Sequence, residues 1–288
     1  MNLLLSILLS LTSLMSVASE QSSTIIYGDD NRDDVGNVIH PLYLRLAEST
    51  AAMVNKSKLT EFNAEQVVLK GENLQTNGIC QQERFSSQPA VANCSGFLVS
   101  DNIIITAGHC FQKTDSCSNF SWVFDFKADR ENQAEVVVDK SNVYSCKKVL
   151  NVVLDDTETD YAVIELDRKV LDRKPLKMRT SGKPNIGDEL VVIGHPSGLP
   201  TKIAGGAKVR SINSVYLVAN LDTYGGNSGS AVFNAKSGLV EGILVRGGED
   251  YVADPETGTC GISNHVSNDE GRGEDVTLIT KVTGIPTI

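Results

Sequence analysis

Leu221-Asp222-Thr223-Tyr224-Gly225-Gly226-Asn227-Ser228-Gly229-Ser230 is the stretch on which the reading of this chain turns. A serine stands between glycines, with apolar strand-like runs on either side. Glycine reaches positive φ and permits close backbone approach, so such a loop can turn sharply and aim its N–H groups inward. Nucleophilic serine chemistry asks for that arrangement, an exposed Oγ beside two N–H donors that stabilise a developing oxyanion. Taken alone, the stretch reads equally well as a Gly/Ser-rich hairpin turn. Two upstream segments shift the balance.

The first is Thr106-Ala107-Gly108-His109-Cys110. It ends the β run Ile103–Thr106, whose hairpin partner is Cys94–Val99 across the turn residues Ser100-Asp101-Asn102. A Cys94–Cys110 bridge would clamp the histidine's loop, and closing so short a loop is worth about 3 kcal/mol. The other three histidines read as surface or turn residues: His40 and His195 each precede a proline, and His265 sits in an acidic stretch. The second segment is Thr159-Asp160-Tyr161-Ala162-Val163-Ile164-Glu165-Leu166, where an aspartate opens an apolar strand. A carboxylate in that position can accept the Nδ1–H of a histidine, fix its tautomer and stabilise the imidazolium.

Around these segments the pattern is β. Strand candidates are Trp122–Phe126, Glu135–Val138, Val149–Leu154, Tyr161–Leu166, Leu190–Ile193, Val215–Asn220, Ala231–Phe233 and Leu239–Val245. Short strands with turn residues between them and little helical period predict an all-β sandwich or barrel. Residues 36–79 say less: Leu42, Leu44 and Leu46 alternate, and Ala47–Val54 suits helix or strand. Gly247–Asp275 is polar, acidic and Gly-rich, a surface loop before a strand or helix at Val276–Val282. The acidic run Asp29–Asp34 lacks the glycine and distal glutamate of an EF-hand and reads as a solvated turn. No metal or other cofactor is expected.

Composition sets the compartment. Met1–Val17 is apolar and uncharged, and the small residues Ser16 and Ala18 suit signal-peptidase cleavage between Ala18 and Ser19. Residues 1–18 are therefore expected to be a signal peptide. Against 36 Asp and Glu stand 26 Lys and Arg, a formal charge of −10. With no basic cluster, nucleic acid and anionic membranes are excluded as expected partners. Six cysteines in an exported chain predict three disulfides.

Thr106–Cys110, Asp160–Leu166 and Gly225–Ser230 together resemble the three signatures of chymotrypsin-like serine proteases. Asn227, Ser230 and Ile25-Ile26 with Asp30-Asn31-Arg32 look like the bacterial V8-like, glutamyl endopeptidase-like branch. The resemblance runs from about residue 25 to about 248, with residues 36–90 longer than usual in that branch. It implies two antiparallel six-stranded β-barrels with the active site in the cleft between them. It also implies His109 as general base, Asp160 as its orienting partner, Ser228 as nucleophile, and the Gly226 and Ser228 amides as the oxyanion hole. The domain layout expected is a segment 19–90, part pro-segment and part start of the first barrel, then a protease domain over 91–288. Cys117 and Cys146 flank the Trp122–Phe126 strand in one barrel and pair, which leaves Cys80 with Cys260. The expected substrate is polypeptide, met by a monomer.

Two departures from the resemblance matter. Trypsin-like enzymes carry Asp before the serine to pair with a new N-terminal amine, and Asn227 cannot make that ion pair. Ala231 stands where proline is usual. For cleavage preference the resemblance divides. Thr223 fits the glutamate-selective pattern, but Leu244 or Val245 stands where a histidine would receive the glutamate, leaving Arg246 beside Gly247 as a substitute. Asp222, six residues before Ser228, takes the place of the aspartate that binds Lys or Arg; facing the other way, it would cap loop backbone instead. Basic, acidic and apolar side chains all remain open. Two rival classes are weaker. An α/β-hydrolase would use Ser228, Asp250 or Asp254 and His265, but needs a helix after the serine where Ala231–Val245 reads strand, turn, strand. A protease-fold binding module would normally lack one of the three signatures.

Overall fold

The computed structural model describes residues 25–112 and 116–286. The expected signal peptide lies outside the described residues. Six antiparallel strands close a first barrel in the order Val143–Leu154, Asp160–Leu166, Ile103–Thr106, Ala92–Ser100, Thr50–Asn55 and Phe120–Phe124, with Phe120–Phe124 returning to Val143–Leu154. A second runs Glu189–Gly194, Ala231–Asn234, Val240–Arg246, Glu274–Leu278, Tyr216–Ala219 and Lys202–Ile212, closed by the pairing of Lys202–Ile212 with Glu189–Gly194. The two six-stranded barrels are the architecture that the resemblance implies, and an α/β-hydrolase is ruled out because Ser228 leads into the strand Ala231–Asn234.

Period-two alternation builds both barrels and the seam between them. Successive side chains on a strand point to opposite faces. Ile104, Ala162, Ile164 and Leu166 fill the first barrel around Trp122 and Phe124. Their neighbours Ile103, Ile105, Tyr161 and Val163 turn outward and meet Val191, Ile193, Phe233 and Ile243 of the second barrel. Leu190, Val192, Leu217, Val232 and Val276 fill the second barrel's own interior. The strands Ile103–Thr106 and Asp160–Leu166 thus pack one face into their own barrel and the other against the second.

Residues 25–90 are woven into the barrels. Pro41–Ala47 is a short helix with proline in its first turn, a position that forfeits no hydrogen bond. Thr50–Asn55 is a strand of the first barrel, so the barrel begins well before residue 91. Arg32–Asp34 adds to the edge of the second barrel, antiparallel to Lys202–Ala204. That edge is fastened by a buried ion pair, Lys202 Nζ to Asp34 Oδ1 at 2.8 Å, with Gln88 bonded to both partners. The long stretch 247–275 is more ordered than expected from its composition. It carries a hairpin of Tyr251–Ala253 and Gly261–Ser263 and a short strand, His265–Val266, parallel to Ile26–Tyr27.

All three expected disulfides are present: Cys94–Cys110, Cys117–Cys146 and Cys80–Cys260. Among the described residues no helix is long and apolar enough to cross a membrane. Breaking the Lys202–Asp34 pair from one side should be severe, since it strands a buried charge. Lys202→Met should lower unfolding free energy by about 3–5 kcal/mol in urea titration. Adding Asp34→Asn to that variant should return part of the loss, because the stranded charge is then gone.

Candidate active site

Asp160 is almost wholly buried where its strand opens, and three donors converge on it. Its Oδ1 accepts the Gly108 amide at 2.6 Å and the His109 amide at 3.1 Å, and its Oδ2 lies 2.7 Å from His109 Nδ1. The approach depends on Gly108: a Cβ there would sit 2.3 Å from Val153 O and 2.9 Å from Tyr161 O. His109 therefore has Nδ1 committed to the carboxylate. Its side chain is one-third exposed, so the imidazole stands at the rim of the cleft. The bridge from Cys94 to Cys110 ties the next residue back to the hairpin.

Ser228 comes from the second barrel, just before its strand Ala231–Asn234. Its carbonyl accepts the Ser95 amide at 2.8 Å, and Cys110 Sγ is 3.9 Å from the same oxygen. Ser228 Oγ makes no hydrogen bond to His109 among the described residues. Such bonds are commonly long in unliganded hydrolases and shorten when substrate binds. The loop before the serine is closed by the Asn227 amide donating to Tyr224 O at 3.0 Å. Gly226 holds φ +91, and a Cβ there would collide with His195 O at 2.6 Å and Gly198 N at 2.7 Å. Neither the Gly226 nor the Ser228 amide is used in a hydrogen bond among the described residues. The Asn227 carboxamide is taken up internally, accepting from Ser230 Oγ at 3.1 Å.

The residues expected to read the substrate are placed less uniformly. Asp222 is buried, and its two oxygens accept the amides of Tyr27 at 2.8 Å and Asn31 at 2.9 Å. It is the backbone-capping alternative that the structure adopts, and burial pushes its carboxyl up to about 6. Leu244 points into the second barrel's core. Arg246 is held by Asp275, Nε to Oδ2 at 3.1 Å, and reaches Glu158 O. Gly247 is buried at the end of that strand, and the amide of Gly248 next to it donates to Glu274 Oε1 at 3.2 Å. Thr223 is fully buried, and its hydroxyl donates to Glu274 Oε2 at 2.8 Å.

Glu274 is the residue sequence reasoning missed. It lies in an acidic run that gives no sign of which carboxylate turns inward. It is fully buried, and among the described residues it has no ion-pair partner, unlike Asp34, Glu241 and Asp275. Burial drives its carboxyl well above the ordinary range, helped by the nearby Asp250. Asp250 itself accepts the Gly225 amide at 2.9 Å and is pushed by burial up to about 6.

The remaining histidines fall outside the cluster. His40 stacks on Tyr43, and His265 is exposed. His195, expected at a surface turn, is instead fully buried: Nδ1 bonds Leu199 O and the ring stacks on Phe126. Burial lowers it to about 3, which keeps it neutral. Among the described residues two groupings have the donor spacing of metal sites, Cys94–His109–Cys110 and Cys80–Asp254–Cys260. In both, the sulfurs are joined to each other as disulfides and offer no thiolate.

Known proteins share this frame. A family model described as a trypsin-like peptidase domain matches residues 94–243, just over half of the chain. The trypsin Blo t 3 of Blomia tropicalis is 26% identical over 208 residues, covering 68% of this chain and 73% of that protein. A probable periplasmic serine endoprotease, DegP-like, of Buchnera aphidicola subsp. Baizongia pistaciae is 28% identical over 142 residues. That match takes in 46% of this chain and only 28% of the relative. The structure of the VesB protease of Vibrio cholerae is alike in fold, with a TM-score of 0.50, 13% identity, and coverage of 87% of this chain and 64% of that one. The histidine loop, the aspartate strand and the serine loop all lie within the matched region, and the chain belongs to the trypsin-like peptidases, as a serine endopeptidase.

Proposed function

We propose that this is an exported endopeptidase that cuts polypeptides through an acyl-enzyme on Ser228. The observation that carries the reading is the His109–Asp160 contact of 2.7 Å, with Cys110 next to the histidine lying 3.9 Å from the Ser228 carbonyl. Ser228 Oγ attacks the scissile carbonyl carbon while His109 Nε2 takes its proton, and Asp160 steadies the imidazolium through Nδ1. The carbonyl oxygen becomes an oxyanion received by the Gly226 and Ser228 amides. Collapse expels the amine, which leaves with the proton from His109. Water, activated by the same imidazole, then releases the acid. Export is supported by the apolar start of the chain and by three disulfides, which persist in oxidising compartments.

For cleavage preference we infer a Lys or Arg side chain, with Glu274 rather than Asp222 as its counter-ion, because Asp222 is taken up by the Tyr27 and Asn31 amides. A cation entering beside Thr223 and Gly247 would supply the partner that this buried carboxyl lacks. A glutamate in the same place would meet a second acid and no histidine.

Ser228→Ala and His109→Ala should each lower kcat by about 10⁶-fold and leave the fold intact. Asp160→Asn should cost about 10⁴-fold by favouring the wrong tautomer. Near-normal activity in Asp160→Asn, measured on a chromogenic peptide, would overturn the assignment. Among the nearby acids Asp155 is already bonded to Thr157.

Glu274→Gln should reduce kcat/KM for Arg-terminated peptides by about 30-fold, the effect of roughly 2 kcal/mol lost with one partner of a buried charge pair. A wild-type preference for Glu-terminated peptides would overturn the role of Glu274 without touching that of Ser228. The same variant reports on stability. The folded carboxyl holds its proton above the ordinary value of 4.5, so its contribution is full below pH 4.5 and drains as pH rises through the folded value. Melting temperature should therefore fall less steeply above pH 4.5 in Glu274→Gln than in wild type.

A further inference from the structure

The loop that carries Ser228 needs an external brace, because Asn227 has no charge with which to bind a terminal amine. Residues 26–34 supply contacts of the required kind. Asp222, at the start of the loop, holds the Tyr27 and Asn31 amides through both carboxylate oxygens. Arg32 is buried and doubly bonded to Asp30, Nε to Oδ1 at 2.8 Å and Nη2 to Oδ2 at 2.7 Å. Its guanidinium lies over the Tyr224 ring at 4.2 Å, with Phe85 at 5.7 Å. Tyr224 is the residue whose carbonyl closes the turn over Gly225 and Gly226, and its ring also meets that of Tyr251 at 4.9 Å. The segment's far end is anchored by the buried Lys202–Asp34 pair.

We propose that the segment Tyr27–Asp34 is a built-in strap that holds the oxyanion loop in working shape, with Arg32 as a positioning residue acting through Tyr224. The inference rests on Ser228 being the nucleophile. A planar cation bonded to Asp30 is rigid, and a ring beneath a desolvated guanidinium is attracted to it as well as packed against it. Tyr224 cannot swing without losing that contact, and while it stays, its carbonyl holds the Asn227 amide and with it the turn that carries the Gly226 and Ser228 amides. The brace comes from within the chain, so loop order does not depend on a newly cut terminal amine.

The test is Arg32→Gln in the full chain, with kcat and KM on a chromogenic peptide, fluorophosphonate labelling of Ser228, and thermal melting. The expected result is a fall in kcat of about tenfold or more, as when an oxyanion donor is misplaced, with KM within about twofold and labelling slowed in parallel. A second variant, Tyr224→Leu, leaves the Asp30–Arg32 pair whole and should give the same loss in kcat, which covers the case of Arg32→Gln failing to fold. Arg32→Lys should recover part of the rate, since it restores the cation without the fork. A folded Arg32→Gln or Tyr224→Leu with wild-type kcat, or a loss confined to KM, overturns the strap. Wild-type protein that does not label at Ser228 overturns the nucleophile and the strap together, whereas normal wild-type labelling with unaffected variants overturns the strap alone.

Discussion

A buried carboxylate must be satisfied, and in this molecule the satisfaction of Asp160 organises everything near it. Two backbone amides and one imidazole nitrogen share its two oxygens. A carboxyl group in the interior is costly unless hydrogen-bonded, so the loop from Thr106 to Cys110 has little freedom to lie elsewhere. Gly108 is required because the loop must press against the carbonyls of Val153 and Tyr161 to reach the acid. The histidine is thus oriented by backbone geometry as much as by its own side chain.

Beside the apolar seam, Ser95 links the second barrel to this arrangement by hydrogen bonds. Its amide donates to Ser228 O, its hydroxyl donates to Gly226 O and accepts the His195 amide, and its carbonyl accepts the Thr106 hydroxyl. One small residue therefore touches the strand before the histidine and both ends of the Gly226–Ser228 turn. Hydrogen bonds that share a residue polarise and constrain each other, which makes the seam stiffer than the same bonds scattered would be. Small barrels with their own cores can slide relative to one another; polar links of fixed length across the seam limit that sliding.

The parts of the site legible in the sequence were those that depend on local chain geometry. The histidine after a β run, the aspartate opening an apolar strand and the serine among glycines each state their conformation within a few residues. Most strands were visible for the same reason. The strand Lys202–Ile212 has no such local sign: it is broken by Gly205-Gly206, where three steps on one strand oppose two on its partner, and that bulge hides the alternation. Side-chain direction at the far side of the serine loop was not legible. Asp222 and Glu274 are both acids whose partners lie far off in the sequence: Asp222 turns to the amides of Tyr27 and Asn31, and Glu274 to the Thr223 hydroxyl and the Gly248 amide. The order of residues 251–266 was hidden likewise, because its strands pair with each other and with Ile26–Tyr27 at long range.

The Cys80–Cys260 link spans 180 positions and joins the segment before the strand Ala92–Ser100 to the long stretch 247–275. Peptidases at high concentration meet copies of themselves, and exposed loops of one molecule are substrates for the next. A cut anywhere between these cysteines leaves two fragments that remain covalently joined and, with both barrels intact, folded around the same seam. Autolysis of this protein would therefore yield a nicked two-chain form, with the mobility of the intact molecule until it is reduced.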